Sequence, residues 1–115
     1  MSELMGIVRF KFHQDRVEEF KRLSAQCLEI VRARDSGTLQ YDTYLNEDQS
    51  EAIVIERFRD SEALIEHSAN LAHLTPAILE TGLVSGELLG EPSAELKAKI
   101  GDGEEPQLFT PYQLM

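Results

Sequence analysis

Apolar side chains alternate along some stretches of this chain and recur every three or four positions along others. These two periods divide it into strands and helices. Leu4 to His13 alternates, with Val8, Phe10 and Phe12 on one side and Met5 and Ile7 on the other, and its β-branched and aromatic content predicts a strand. Over Arg16 to Arg34 the period lengthens. Val17, Phe20, Leu23, Cys27, Ile30 and Val31 then form one helical stripe. Asp15 followed by Glu18 predicts a D-x-x-E capped start. Arg32 and Arg34 suit the negative helix end, and Gly37 supplies the stop.

Thr38–Leu45 and Glu51–Phe58 flank the polar run Asn46 to Ser50 and predict a hairpin. Leu39, Tyr41, Thr43 and Leu45 share one face of the first strand. A regular register places Val54, Glu56 and Phe58 on the same side as Tyr41. Asp60 or Ser61 caps a second helix that runs to about Ala72, restarts at Thr75-Pro76, continues through Ile78 and Leu79, and ends at Gly82. Leu83–Leu89 reads as a fourth strand, with Gly86 marking a bulge or a close backbone approach. Pro92 and Ser93 open a short helix to Ile100, closed by Gly101. A polar linker then leads to Leu108, Phe109, Tyr112, Leu114 and Met115, an apolar tail expected to dock on the domain or on a partner subunit. Residues 1–91 therefore read as one domain, and 92–115 as a short helix and tail.

The order strand, helix, strand, strand, helix, strand predicts an α+β fold. It is the ferredoxin-like split βαβ pattern, an antiparallel sheet with both helices on one face. The other face keeps Met5, Ile7, Ile53 and Ile55, each worth roughly 1.5–3 kcal/mol if fully buried. Such a patch on a soluble chain predicts a homodimer formed through the open sheet face. Arg57 points to that side, where an intersubunit ion pair is its simplest role.

Composition removes several function classes. At 115 residues and 42% hydrophobic content the chain suits a single packed core. A formal net charge of -10 argues against nucleic acid and against an anionic membrane surface. Cys27 is the only cysteine, so no intramolecular disulfide forms, and its place in the apolar stripe marks a structural thiol. The first residues lack a basic leader, and no apolar run approaches the roughly 20 residues of a membrane span. A cytoplasmic setting is expected.

Among titratable side chains, His67 stands out. Leu64, Ile65, Ser68, Leu71 and Ala72 span one side of the second helix, and His67 falls at the edge of that stripe, reaching a cleft while partly wet. Free imidazole titrates at about pH 6.5, which suits proton transfer to or from a phenol or a peroxide. A histidine bonded at the sheet–helix seam competes with this reading. Glu56 sits on an otherwise apolar face and needs a partner, with Tyr41, His67 or a backbone amide available. Phe58 and Tyr41 suit a pocket for a flat ring, although core packing explains the same pair, and Asn70 lies just beyond His67 as a further substrate contact. His67 and His73 lie on different helix faces and His13 ends a strand, so no metal site is expected. No P-loop or G-x-S-x-G context occurs.

FHQDRVEEFKRL at the first helix, SGTLQYDTYLNED in the hairpin and IVIERFRDSEALIEH across the third strand and second helix resemble the antibiotic biosynthesis monooxygenase family, which includes quinol monooxygenases. The resemblance covers Met5 to Leu89, and ERFRDSEALIEH is its most specific part. It implies a dimeric α/β barrel with a cleft in each subunit. There a small quinol, phenolic or polyketide-like aromatic reacts with oxygen without metal or flavin, and His67 assists proton transfer. Two departures are visible: Phe58 stands where Trp is frequent, and SANLA separates His67 from His73. They motivate an alternative, a non-catalytic dimeric binding module of the same fold. Haem binding, known in some relatives, is the third expectation and the weakest, because the chain has no Trp.

Overall fold

The structure, a computed structural model, describes residues 3–101, 103 and 105–115. Strand β1 spans Leu4–Phe12, helix α1 Val17–Arg34, β2 Thr38–Leu45, β3 Glu51–Phe58 and α2 Ser61–Leu71. There follow α3 at Thr75–Leu79, β4 at Gly82–Leu89, α4 at Ala94–Ile100 and β5 at Gln107–Phe109. The sheet order is β2-β3-β1-β4-β5. The first four strands pair antiparallel, as the split βαβ pattern requires, and β5 joins parallel to β4. The sheet is therefore mixed, because the tail contributes an edge strand too short to register as a pattern.

Along β1 and β3 the two-residue period is strict. Leu4, Phe10, Ala52, Val54 and Phe58 are buried on the helix-covered side. Phe10, Ala52 and Val54 pack with Phe20 of α1, whose ring lies 4.9 Å from that of Phe10. Cys27 and Val31 of α1 meet Leu71 of α2 in a second cluster. The open face carries Met5, Ile7, Ile53 and Ile55, half-buried, beside the ion pairs Arg9–Glu87 and Arg57–Glu3. Arg57 is thus engaged within its own chain.

Several local expectations are corrected. Asp15 adopts φ 63 in the turn closed by Arg16 N–H donating to His13 O, so it is not the helix cap. Arg16 occupies that position without a side-chain bond. Helix α1 leaves through Asp35 in an extended conformation. Gly37 is needed instead for close approach, since a Cβ there would lie 2.6 Å from Ala63 Cβ. The hairpin is irregular: Thr38 faces Phe58 while Gln40 faces Arg57, and the extra residue Leu39 bulges out, 47% exposed. Gly86 pairs with Val8 in unbroken register. The close approach belongs to Gly82, where a Cβ would lie 2.3 Å from Lys11 O.

Other caps form as expected. Asp60 accepts from Ala63 N–H at 2.9 Å, and Ser93 accepts from Leu96 N–H at 3.1 Å. Past β5, Tyr112, Leu114 and Met115 stand exposed on this chain.

Candidate functional site

The C-terminal end of α1 and the middle of α2 meet over β2 and β3, and a buried polar network fills the seam. Ser36 fixes the exit from α1 by donating its backbone N–H and its hydroxyl to Glu66 Oε1, both at 2.8 Å. That anchor leaves Asp35 directed inward, its side chain 1% exposed. Asp35 Oδ2 accepts from His67 Nδ1 at 2.7 Å and from Thr38 Oγ1 at 2.6 Å. Its Oδ1 accepts from Asn70 Nδ2 at 2.8 Å. Burial pushes the Asp35 carboxyl up, but the bonds from Thr38, Asn70 and His67 outweigh it and hold the group below its ordinary value. Asp35 is therefore an acceptor only, and Nδ1 of His67 carries the proton.

This leaves Nε2 as the working nitrogen. It faces Glu56 Oε1 at 4.0 Å. Glu56 is 15% exposed and lies on the covered side of β3 among Val54 and Phe58. Burial raises its pKa above the ordinary carboxylate value. The nearby His67 counters that rise, and Asp35 adds to it. The imidazole ring is boxed by Tyr41, 5.3 Å away edge-on, and by Phe58 at 5.0 Å. Burial and the adjacent Cys27 and Glu56 raise the Tyr41 phenol as well, so Tyr41 stays neutral and can act as a donor. The Cys27 thiol is raised by burial, as an inert core thiol is.

A cavity of about 490 Å³ opens beside this network between the sheet, α1, α2 and α3. Phe10, Phe20, Tyr41, Glu56 and His67 are in its walls. That volume lies in the range of small-molecule sites.

The structure brings His67, Glu56, Tyr41, Phe58 and Asn70 together. His67 is 5% exposed, more buried than a stripe-edge position suggests, because Tyr41, Phe58 and Asp35 enclose its ring. Tyr41 lies directly opposite Glu56 in the hairpin, and Phe58 opposite Thr38, so the two rings grip His67 separately. Asn70 spends its amide on Asp35. Asp35 and Thr38 were missed. A carboxylate at the C-terminal end of a helix opposes the helix dipole and needs donors of its own, which marks Asp35 as unusual without naming its partners. His13 and His73 are exposed. Among the described residues no group of three or more His, Cys, Asp or Glu side chains is arranged to hold a metal ion, and no helix is long and apolar enough to cross a membrane.

Comparison with known proteins places the chain in a family. The ABM sequence profile, described as antibiotic biosynthesis monooxygenase, matches residues 4–75. No curated protein matches. The structure is similar to MupZ from Pseudomonas fluorescens, at 21% identity and TM-score 0.78, covering 98% of this chain and 88% of that one. It is also similar to Rv0793 from Mycobacterium tuberculosis, at 24% identity and TM-score 0.69, with 79% and 96% covered. SnoaB from Streptomyces nogalater, described as a cofactor-independent oxygenase, shares the fold at 19% identity and TM-score 0.66, with 75% and 89% covered. With a profile spanning more than half its length and the ferredoxin-like fold in place, this chain belongs to the antibiotic biosynthesis monooxygenase family.

Proposed function

We propose that the chain is a cofactor-independent monooxygenase acting on a small quinol, phenolic or polyketide-like aromatic compound. One observation carries this reading. The imidazole of His67 is locked by Asp35 through Nδ1, and its Nε2 faces Glu56, a carboxyl whose neutral form burial favours, at 4.0 Å beside an aromatic-walled cavity. His67 Nε2 takes the hydroxyl proton of the substrate, and Asp35 stabilises the imidazolium that results. The electron-rich phenolate then supplies the electrons for oxygen. A carbon–oxygen bond forms to give a peroxide anion, which takes the proton back from His67 to become a hydroperoxide. The C–H proton on the oxygenated carbon then passes to His67 as the O–O bond breaks, Glu56 gives its proton to the departing hydroxide, and His67 returns a proton to Glu56. A quinol and O2 thus yield a hydroxyquinone and one water. Family membership and the shared fold of SnoaB support the oxygen chemistry.

Oxygen uptake with a panel of hydroquinones tests it. Wild-type protein is expected to consume oxygen, and His67→Ala to lose about 10²-fold or more. Equal uptake by the two proteins would overturn the assignment.

A second reading is favoured by the Glu56–His67 pair itself. A base and a proton-holding acid across one gap can move a proton onto and off a substrate with no oxygen at all, as in an isomerisation. Turnover that persists under strict anaerobiosis would select it.

We also infer that two copies pair through the open sheet face carrying Met5, Ile7, Ile53 and Ile55. Light scattering is expected to give twice the 13.0 kDa chain mass, and Ile53→Lys with Ile55→Lys to return it to one. A single-chain mass for the wild type would sink the inference.

A further inference from the structure

A second cavity, about 470 Å³, lies on the other side of Glu56, between the sheet, α2 and α4. It shares Val8, Glu56, Leu64 and Ser68 with the first cavity, so a molecule in either one meets the same carboxylate. The walls differ in kind. The first cavity presents Phe10, Phe20, Tyr41 and His67. The second presents Leu64, Ile65, Leu88, Leu96, Ile100 and Pro106, with Phe58 the one aromatic among its described lining residues. Flat rings gain most from aromatic faces, whereas a saturated chain packs as well on aliphatic ones.

The floor is shaped for something long. On the covered side of β1 and β4, Gly6 faces Leu88 and Gly86 faces Val8, so two of four floor positions carry no side chain and leave a trough. A Cβ on Gly6 would lie 3.4 Å from Glu56 Oε1, so the trough reaches the carboxylate. A cavity of about 150 Å³ already holds benzene. At about three times that volume, this chamber is oversized for a single ring.

The outer wall is held firmly. Ser93 N–H donates to Ser61 Oγ at 2.8 Å, joining the start of α4 to the start of α2. Leu96 of α4 is buried with Leu4 and Leu88. Gly86 N–H donates to Glu105 Oε2 at 2.6 Å, which ties the strap before β5 to the sheet and sets Pro106 in the wall. Of these wall elements, β4, α4 and the strap before β5 follow residue 75, where the family match ends, whereas Leu4 and Ser61 lie within it.

We propose that the second cavity binds a saturated hydrocarbon chain. The substrate is then an amphiphile whose reacting ring meets His67 while its chain runs past Glu56 into the chamber closed by α4. The ring's position rests on the reading given under Proposed function; the chain site does not.

Dodecanoate is the probe, and binding is read without turnover. Titrated into the full-length wild-type protein, it is expected to give saturable methyl NMR shifts at Ile65, Leu96 and Ile100, with Ile78 of the first cavity little changed. Ala69→Phe projects into the second cavity alone and Ala72→Phe into the first alone, both from exposed positions of α2 and its C-cap. The first variant is expected to weaken dodecanoate by about tenfold or more, and the second by less than about twofold. Absence of saturable shifts, shifts confined to Ile78, or equal weakening by both variants would overturn the proposal. If Ala69→Phe loses its folded circular dichroism spectrum, the wild-type methyl map decides alone. Dodecanoate binding together with equal oxygen uptake by wild type and His67→Ala on the hydroquinone panel would leave the chamber standing and remove the monooxygenase reading.

Discussion

Asp35 and Glu56 flank one imidazole, 2.7 and 4.0 Å from its two nitrogens, yet their carboxyl groups respond to burial in opposite ways. Asp35 is the more enclosed, and its charge is nevertheless favoured because three donors converge on two oxygens. Glu56 lies between two apolar cavities, and its neutral form is favoured. Enclosure alone therefore does not set the charge of a buried acid. What decides is whether hydrogen-bond donors replace the lost water. The same contrast sets two unlike acids beside His67, one whose charged form is favoured and which holds the ring, and one whose neutral form is favoured.

The largest break in this comparison is Asp35→Ala. It strands three buried donors, the Thr38 hydroxyl, the Asn70 amide and His67 Nδ1–H, and at about 1–3 kcal/mol each the loss is about 3 kcal/mol or more. Urea unfolding measures it. Because the folded pKa of Asp35 is depressed, its contribution is present above the ordinary carboxylate value and is lost as pH falls through the folded one. The gap between wild type and variant should therefore close in acid. A loss under about 1 kcal/mol at neutral pH would mean that the donors find water instead, and that the network does not hold the ring.

The outline of the fold was legible because its strands and helices each carry a clean period, and the bounds of β2 and β3 follow directly from it. His67 was legible as a titratable group near an apolar stripe. Asp35 was not, because its partners Thr38, His67 and Asn70 lie 3, 32 and 35 positions away and only one is local. Periodicity assigns a residue to a face but does not report what crosses to it. Leu39 was misplaced for a related reason: one inserted residue reverses the facing of everything before it, and no side-chain pattern marks the bulge. Strand β5, three exposed residues long, has too little sequence to show a period.

A smaller change sharpens the comparison by moving Asp35 toward the condition of Glu56. Thr38→Val keeps the β-branched shape in β2 and removes one donor, at 2.6 Å, from Asp35 Oδ2. Loss of a hydrogen bond to a charged group predicts about 1.5–3 kcal/mol, less than the alanine variant at Asp35 itself. The Asp35 carboxyl should rise toward its ordinary value, which a carboxylate-resolved NMR titration follows. An unchanged titration would show that Asn70 and His67 suffice.

The smallest expected effect has the opposite sign. Glu56→Gln keeps the shape and neutrality of the protonated acid and cannot ionise. The folded pKa of Glu56 is raised, so the folded state holds its proton where the unfolded chain has released it, and wild-type stability falls as pH rises through that interval. At neutral pH the glutamine variant should accordingly melt higher than the wild type. Below the ordinary carboxylate value of 4.5 the acid is protonated in both states and the difference should vanish. Thermal unfolding at a series of pH values measures both limits. The monooxygenase reading requires the same variant to lose turnover, since the amide has no acidic proton to give the departing oxygen. A protein that is steadier and slower at neutral pH would mark Glu56 as an acid kept for chemistry at a cost in stability. A melting point that falls instead would show that its charged form is paired after all, and that the two carboxylates beside His67 are alike.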